Sequence, residues 1–150
     1  MEWTQVTSQA EFDAAIRAGC TSVEITKAVR ITVKLPESVC VEVKAVADAI
    51  LELLGKSRIQ AWSTFKVEAW GSSQPHVVAR ESSQPHVEAW GSSQPHVVAR
   101  ESSQPHVEAW ESSQPHVEAW GSSQPHVVAR ESSQPHVEAW ESSQPHVEAW

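Results

Sequence analysis

The chain has 150 residues, a net charge of −8 at neutral pH, eight tryptophans and no tyrosine. That length suits one ordinary domain or a small cap joined to a repeat array. The acidic balance offers no basic face and excludes a general nucleic-acid binder, and no apolar run is long enough to span a membrane.

The N-terminal residues Met1-Glu2-Trp3-Thr4 carry neither a basic n-region nor an apolar h-region, so no signal peptide is expected. Thr7-Ser8-Gln9-Ala10-Glu11 then opens a helix over about residues 9–18. Ser8 is its cap, Glu11 returns the bond, Phe12 and Ile16 share a face, and Gly19 is the stop. Three strands follow, at Ser22–Thr26, Arg30–Lys34 and Val39–Val43, each alternating apolar and polar residues. A second helix is expected over about residues 44–54. Its stripe is Val46, Ile50, Leu53 and Leu54, with Asp48 and Glu52 facing away and Gly55 closing it. Cys20 and Cys40 have no CxxC spacing and are read as free thiols.

From residue 71 the chain is a decapeptide written eight times. One form is Gly-Ser-Ser-Gln-Pro-His-Val-Val-Ala-Arg, beginning at Gly71, Gly91 and Gly121. The other is Glu-Ser-Ser-Gln-Pro-His-Val-Glu-Ala-Trp, beginning at Glu81, Glu101, Glu111, Glu131 and Glu141. These eighty residues hold ten Glu and three Arg, which is −7 of the total charge. Residues 61–70 are a degenerate first unit, and the pairs Val23/Ile25, Ile31/Val33 and Val41/Val43 recur at close to the same spacing.

An even period preserves strand alternation from unit to unit. Ser73, Pro75, Val77 and Ala79 fall on one parity and suit a thin interior. Ser72, Gln74, His76, Val78 and Arg80 fall on the other and suit an outer face. Proline donates no ladder hydrogen bond, so each Pro belongs at a corner. A coil holds either one decapeptide or two. Two is preferred, because Val77 and Ala79 then face Val87 and Ala89 across the core. The rival structural reading is disorder, since Ser, Gln, Pro, Gly and Glu are linker residues.

Two outward rows carry the functional interest. His76, His86, His96, His106, His116, His126, His136 and His146 would stack ~4.8 Å apart. Such a ladder is a candidate for metal binding or pH sensing. A row of neutral, solvated imidazoles is the plainer expectation, because no carboxylate is seen at ligand spacing. The tenth position reads Trp70, Arg80, Trp90, Arg100, Trp110, Trp120, Arg130, Trp140 and Trp150, an aromatic and guanidinium row that is the candidate binding surface. Arg comes with Val two residues earlier, and Trp with Glu. The Ser-Ser pairs have no matched base, so no catalytic residue is expected.

The segments Trp3–Ile16 and Ala18–Ile25, followed by Val-x-Ala-x-x-Ser-Ser decapeptides, resemble a group of uncharacterised tandem-repeat proteins of actinobacteria and their phages. The resemblance carries no activity with it. More distantly, Ala89-Trp90-Gly91-Ser92-Ser93-Gln94 is similar to the repeats of bacterial ice-nucleation proteins, which are β-solenoids. That family orders water with a Thr-x-Thr row, and this chain has no threonine after Thr64, so ice binding is a minor alternative.

The resulting expectation is a mainly β protein. A small α/β N-terminal cap over residues 1–60 precedes a decapeptide-repeat β-solenoid (parallel β-helix) over residues 61–150. It would be non-enzymatic, without a cofactor, cytoplasmic or phage-associated, and a structural or binding surface that self-associates into dimers or filaments. A metal-binding or pH-sensing His ladder is the alternative.

Overall fold

The structure, a computed structural model, describes residues 2–150. Short strands with small inward side chains cannot bury much surface in a single layer, and the chain solves this by coiling. The elements in order are β1 (Thr4–Val6), α1 (Gln9–Arg17), β2 (Ser22–Ile25), β3 (Arg30–Val33), β4 (Cys40–Ala45), β5 (Ile50–Leu53), β6 (Arg58–Ala61) and β7 (Lys66–Ala69). The repeats add β8 (His76–Ala79), β9 (His86–Ala89), β10 (His96–Ala99), β11 (His106–Ala109), β12 (His116–Ala119), β13 (His126–Ala129), β14 (His136–Ala139) and β15 (His146–Ala149).

From β2 onward successive strands go to alternate sheets. The first sheet runs β1-β2-β4-β6-β8-β10-β12-β14 and the second β3-β5-β7-β9-β11-β13-β15, with parallel pairing throughout. Each repeat strand pairs with the strand twenty residues on, His96 beside His116 and His106 beside His126. One coil is therefore two decapeptides, as the Val/Ala pairing requires. The stack is a β-solenoid of about seven turns, continuous in register from β2 to the last repeat. No helix among the described residues is long and apolar enough to cross a membrane.

The interior follows the parity of the repeat. Val77, Ala79, Val87, Ala89, Val107 and Ala109 are fully buried, while the residues between them reach the surface. Ser73 and Pro75 also point inward, and the Pro75 carbonyl accepts from His96 N at 2.8 Å, so the corner stays bonded although proline donates nothing. Towards the N-terminus the same columns carry bulkier residues, Ile31, Leu51, Leu53, Ile59 and Phe65, all buried. The first residue of each unit turns the chain with φ between +54° and +71°, for Glu81 and Gly121 alike. Glycine takes this conformation freely, whereas each glutamate there carries a cost of roughly 1 kcal/mol.

The expected helix over residues 44–54 is not formed. Lys44 and Ala45 end β4, a turn follows, and Ile50–Leu53 is β5. Leu51 and Leu53 lie inward between Ile31/Val33 and Val67/Ala69, ten residues after Val41 and Val43. Burial between two strands overrides a stripe of apolar residues that also fits a helical period. Strand β1, beside β2, is an element the sequence pattern did not show.

The helix over residues 9–18 is present as Gln9–Arg17, and it closes the N-terminal end of the stack. Ser8 caps it by accepting from Glu11 N at 3.3 Å, whereas the Glu11 carboxylate turns to Thr7, at 2.5 Å from its N–H and 2.9 Å from its hydroxyl. Phe12 and Ala15 are buried against the first coil. An open sheet edge exposes unpaired backbone groups. Here β1 covers the edge of β2, and the Gln9 side chain covers that of β3, accepting from Thr32 N at 2.7 Å and donating to Thr32 O at 3.0 Å. Gln9→Ala strips both bonds and is expected to lower unfolding free energy by about 1–2 kcal/mol in urea titration; an unchanged midpoint would refute the sealing role. Cys20 and Cys40 are free.

Candidate functional site

Each repeat strand begins on an outward His, carries Glu or Val at the next outward position, and is followed by Trp or Arg. Because a coil is twenty residues, these positions form columns on two separate faces. The single tenth-position row becomes two. Trp70, Trp90, Trp110, Arg130 and Trp150 follow the second sheet, and Arg80, Arg100, Trp120 and Trp140 follow the first. On the second sheet Trp70, Trp90 and Trp110 stack with ring centroids 5.3 and 5.0 Å apart, and the Arg130 guanidinium lies 4.8 Å from the Trp110 ring. On the first, Trp120 and Trp140 stack at 5.4 Å.

The histidines form two unbroken stacks. His76, His96, His116 and His136 run down one face with centroid separations of 4.6, 4.8 and 4.9 Å, and His86, His106, His126 and His146 down the other at 4.7, 4.8 and 4.9 Å. On the first face the histidines and Gln74, Gln94, Gln114 and Gln134 line an open groove of ≈ 680 Å³ that begins at Glu37, Lys56 and Arg58.

Contrary to the expectation that no carboxylate lies at ligand spacing, glutamates complete these rows. The residue two positions after each His shares its outward parity, so a carboxylate there faces the His of its own strand and that of the preceding coil. Glu108 lies 3.2 Å from His106 Nε2 and 3.3 Å from His86 Nε2, and Glu148 lies 3.1 Å from His146 and 3.4 Å from His126. On the first face Glu118 is 2.8 Å from His96 and 3.7 Å from His116, and Glu138 is 2.9 Å from His136 and 3.9 Å from His116. Four His–His–Glu clusters result: His86/His106/Glu108, His126/His146/Glu148, His96/His116/Glu118 and His116/His136/Glu138. In each, the three donor atoms lie within 4.8 Å of one another. Val78, Val98 and Val128 interrupt the carboxylate columns, and His76 belongs to no cluster.

Two features bear on what these groups could hold. The Nε2 atoms of His86, His106, His116 and His126 are buried with no hydrogen-bond partner, although carboxylates are close. A buried polar atom without a partner is costly, and a water or an ion would relieve it. Some carboxylates of these columns are also oriented by an indole. The indoles of Trp70, Trp90 and Trp120 donate to Glu68, Glu88 and Glu118 at 3.0, 3.2 and 3.1 Å. Of these three glutamates only Glu118 belongs to a His–His–Glu cluster, and Trp110 Nε1 is buried with no hydrogen-bond partner. Burial opposes the Glu118 charge, but the Trp120 and His96 hydrogen bonds outweigh it and hold the carboxyl below its ordinary value. Burial pushes His106 downward, with His86 and His126 adding to the effect, so it stays neutral and available as a ligand.

Comparisons with family models, with curated proteins and with solved structures give no match.

Proposed function

We propose that the protein is a non-enzymatic β-solenoid scaffold whose outer His–Glu rows bind divalent transition-metal ions. The observation that carries this reading is the His–His–Glu cluster repeated on both faces, with four imidazole nitrogens left unpartnered. Two imidazoles and one carboxylate suit ions of intermediate softness such as Zn²⁺, Ni²⁺, Co²⁺ and Cu²⁺, and three protein donors leave further positions to water. The Trp120 bond to Glu118 is the kind of outer contact that fixes a ligating carboxylate. Tetrahedral donors held at ~2.1 Å from one ion lie about 3.4 Å apart. Binding therefore closes a donor pair standing at the 4.8 Å limit by about 1.4 Å, which side-chain rotation supplies.

His116 belongs to both clusters of the first face, so only one of those two fills through its Nε2 at a time. Saturation is expected at three ions per chain, one on the first face and two on the second. Isothermal titration with Zn²⁺ or Ni²⁺ tests this. His116→Ala and His106→Ala should each remove one ion, and His76→Ala should remove none. Titration without a saturable heat, or a stoichiometry indifferent to His116 and His106, would overturn the reading.

A further inference from the structure

The outward side chains of β8, β10, β12 and β14 divide that face into two unlike halves. In the N-terminal half Val78 and Val98 stand where other strands carry Glu, and Arg80 and Arg100 follow them. Among the described residues, neither Arg80, Arg100 nor the nearby Arg58 has a carboxylate within ion-pair distance, although Arg30 is paired with Glu68 at 2.6 Å and Arg130 rests on Trp110. Glu101, beside Arg100 in the chain, directs an oxygen to Glu81 N at 2.6 Å instead. Arg58, Val78, Arg80, Val98 and Arg100 border one recess of ≈ 290 Å³ that Glu118 also lines, and Arg80 donates to Gln60 at 3.1 Å. In the C-terminal half the same columns read Glu118 and Glu138, then Trp120 and Trp140. Trp140 is 48 % exposed, unusually open for an indole.

We infer that this face is a two-fold interface between two copies of the chain, in which Arg80 and Arg100 of one copy stack on the partner's Trp140 and the partner's Trp120. The symmetry follows from the columns. A two-fold axis running along the strand direction between β10 and β12 lays each column over itself and reverses the order of rungs. Guanidinium then meets indole at four places, and the arginines reach the carboxylates of Glu118 and Glu138 from the other copy. An axis along the solenoid would instead set each rung on itself, Glu against Glu. The opposite face lacks this complementarity, because reversing its order places Glu68 against Glu148 and Glu108 against itself. A two-fold contact of this kind closes on itself and yields a dimer rather than a filament. Four rungs at ~4.8 Å make a small contact, so association is favoured by high protein concentration and low salt.

Sedimentation velocity over a concentration series, at low ionic strength and with EDTA present, tests the interface independently of any metal. The full chain should show a monomer–dimer equilibrium. R80E/R100E and E118R/E138R should each weaken it more than tenfold while leaving the far-UV circular dichroism unchanged. Mixed in equal amounts, the two variants should dimerise again, since each supplies the charges that the other has lost. A monomer at every concentration, dimers unaffected by either charge reversal, variants that stay apart when mixed, or growth into larger species would each overturn the inference.

Discussion

Leu51→Ala is expected to destabilise the protein by about 2–5 kcal/mol, whereas Ile50→Ala one residue earlier should cost well under half as much. Leu51 is fully buried in β5, between Ile31 of β3 and Val67 of β7. Truncation removes three carbons' worth of contacts from a column whose neighbours are pinned by ladder hydrogen bonds on both sides, so the cavity cannot collapse. Ile50 is only partly covered and faces outward. A helix over residues 44–54 would reverse the ranking, because Ile50 lies on its apolar stripe and Leu51 does not. Urea denaturation of the two variants decides the matter. Equal losses, or a larger loss for Ile50, would refute the strand and its register.

The same segment shows how far the sequence could be read. Val46, Ile50, Leu53 and Leu54 satisfy a helical period, while Leu51 and Leu53 satisfy a strand period, and eleven residues do not separate the two. The deciding signal was the step of ten from Val41/Val43 to Leu51/Leu53, which extends the repeat upstream into bulkier residues. Strand β1 was hidden for another reason: three residues, Thr4–Val6, are too few to show any period. The repeat itself was legible, because an even period fixes which side chains point inward. Ser73, Pro75, Val77 and Ala79 all lie inside, and only a coil of twenty brings Val and Ala together across the core.

The site was legible in half. The histidine columns follow directly from the period. The carboxylates do not show in local spacing, because the second histidine that Glu108 meets, His86, lies twenty-two residues away and one coil back. Outward parity contained the answer: residues 106 and 108 share a face, and so does 86. The division into two faces was hidden by the order of units. Gly- and Glu-type units alternate down to Glu101, and then two Glu-type units in succession, at Glu101 and Glu111, shift the phase by half a coil. That shift moves Trp and Glu onto the first face at Trp120 and Glu118, and Arg130 onto the second. It also creates the opposed halves on which the two-fold interface depends.

Acid should destabilise the solenoid well before its carboxylates titrate. Burial pushes His76 down to about 4, and His96 and Arg58 add to the effect; His106 is lowered by burial and by His86 and His126. For a base whose folded value lies below its unfolded one, the unfolded chain binds the proton more readily. The native state is therefore at full advantage above the ordinary imidazole value of 6.5 and loses it as the pH falls from there towards 4. At 1.36 kcal/mol per pH unit the complete loss for His76 would be about 3 kcal/mol, and screening at a half-exposed side chain reduces this to roughly 1–2 kcal/mol. Glu68 and Glu118 add a separate loss at lower pH, since their partners hold both carboxyls below the ordinary range. Urea titrations at about pH 7 and about pH 5 isolate the histidines, because the carboxylates stay charged across that interval. His76→Gln should reduce the difference between the two measurements while leaving stability near pH 7 almost unchanged, because it replaces a neutral side chain by another of similar reach. A His76→Gln protein with the full acid loss would show that the stacked imidazoles do not resist protonation. Burial is the larger cause of this resistance, and the neighbouring imidazoles add to it. Stacking at 4.6–4.9 Å makes a second positive charge costly when it arrives as a proton on a neighbouring ring, whereas a single divalent ion shared by two rings and a carboxylate places its charge where the donors converge.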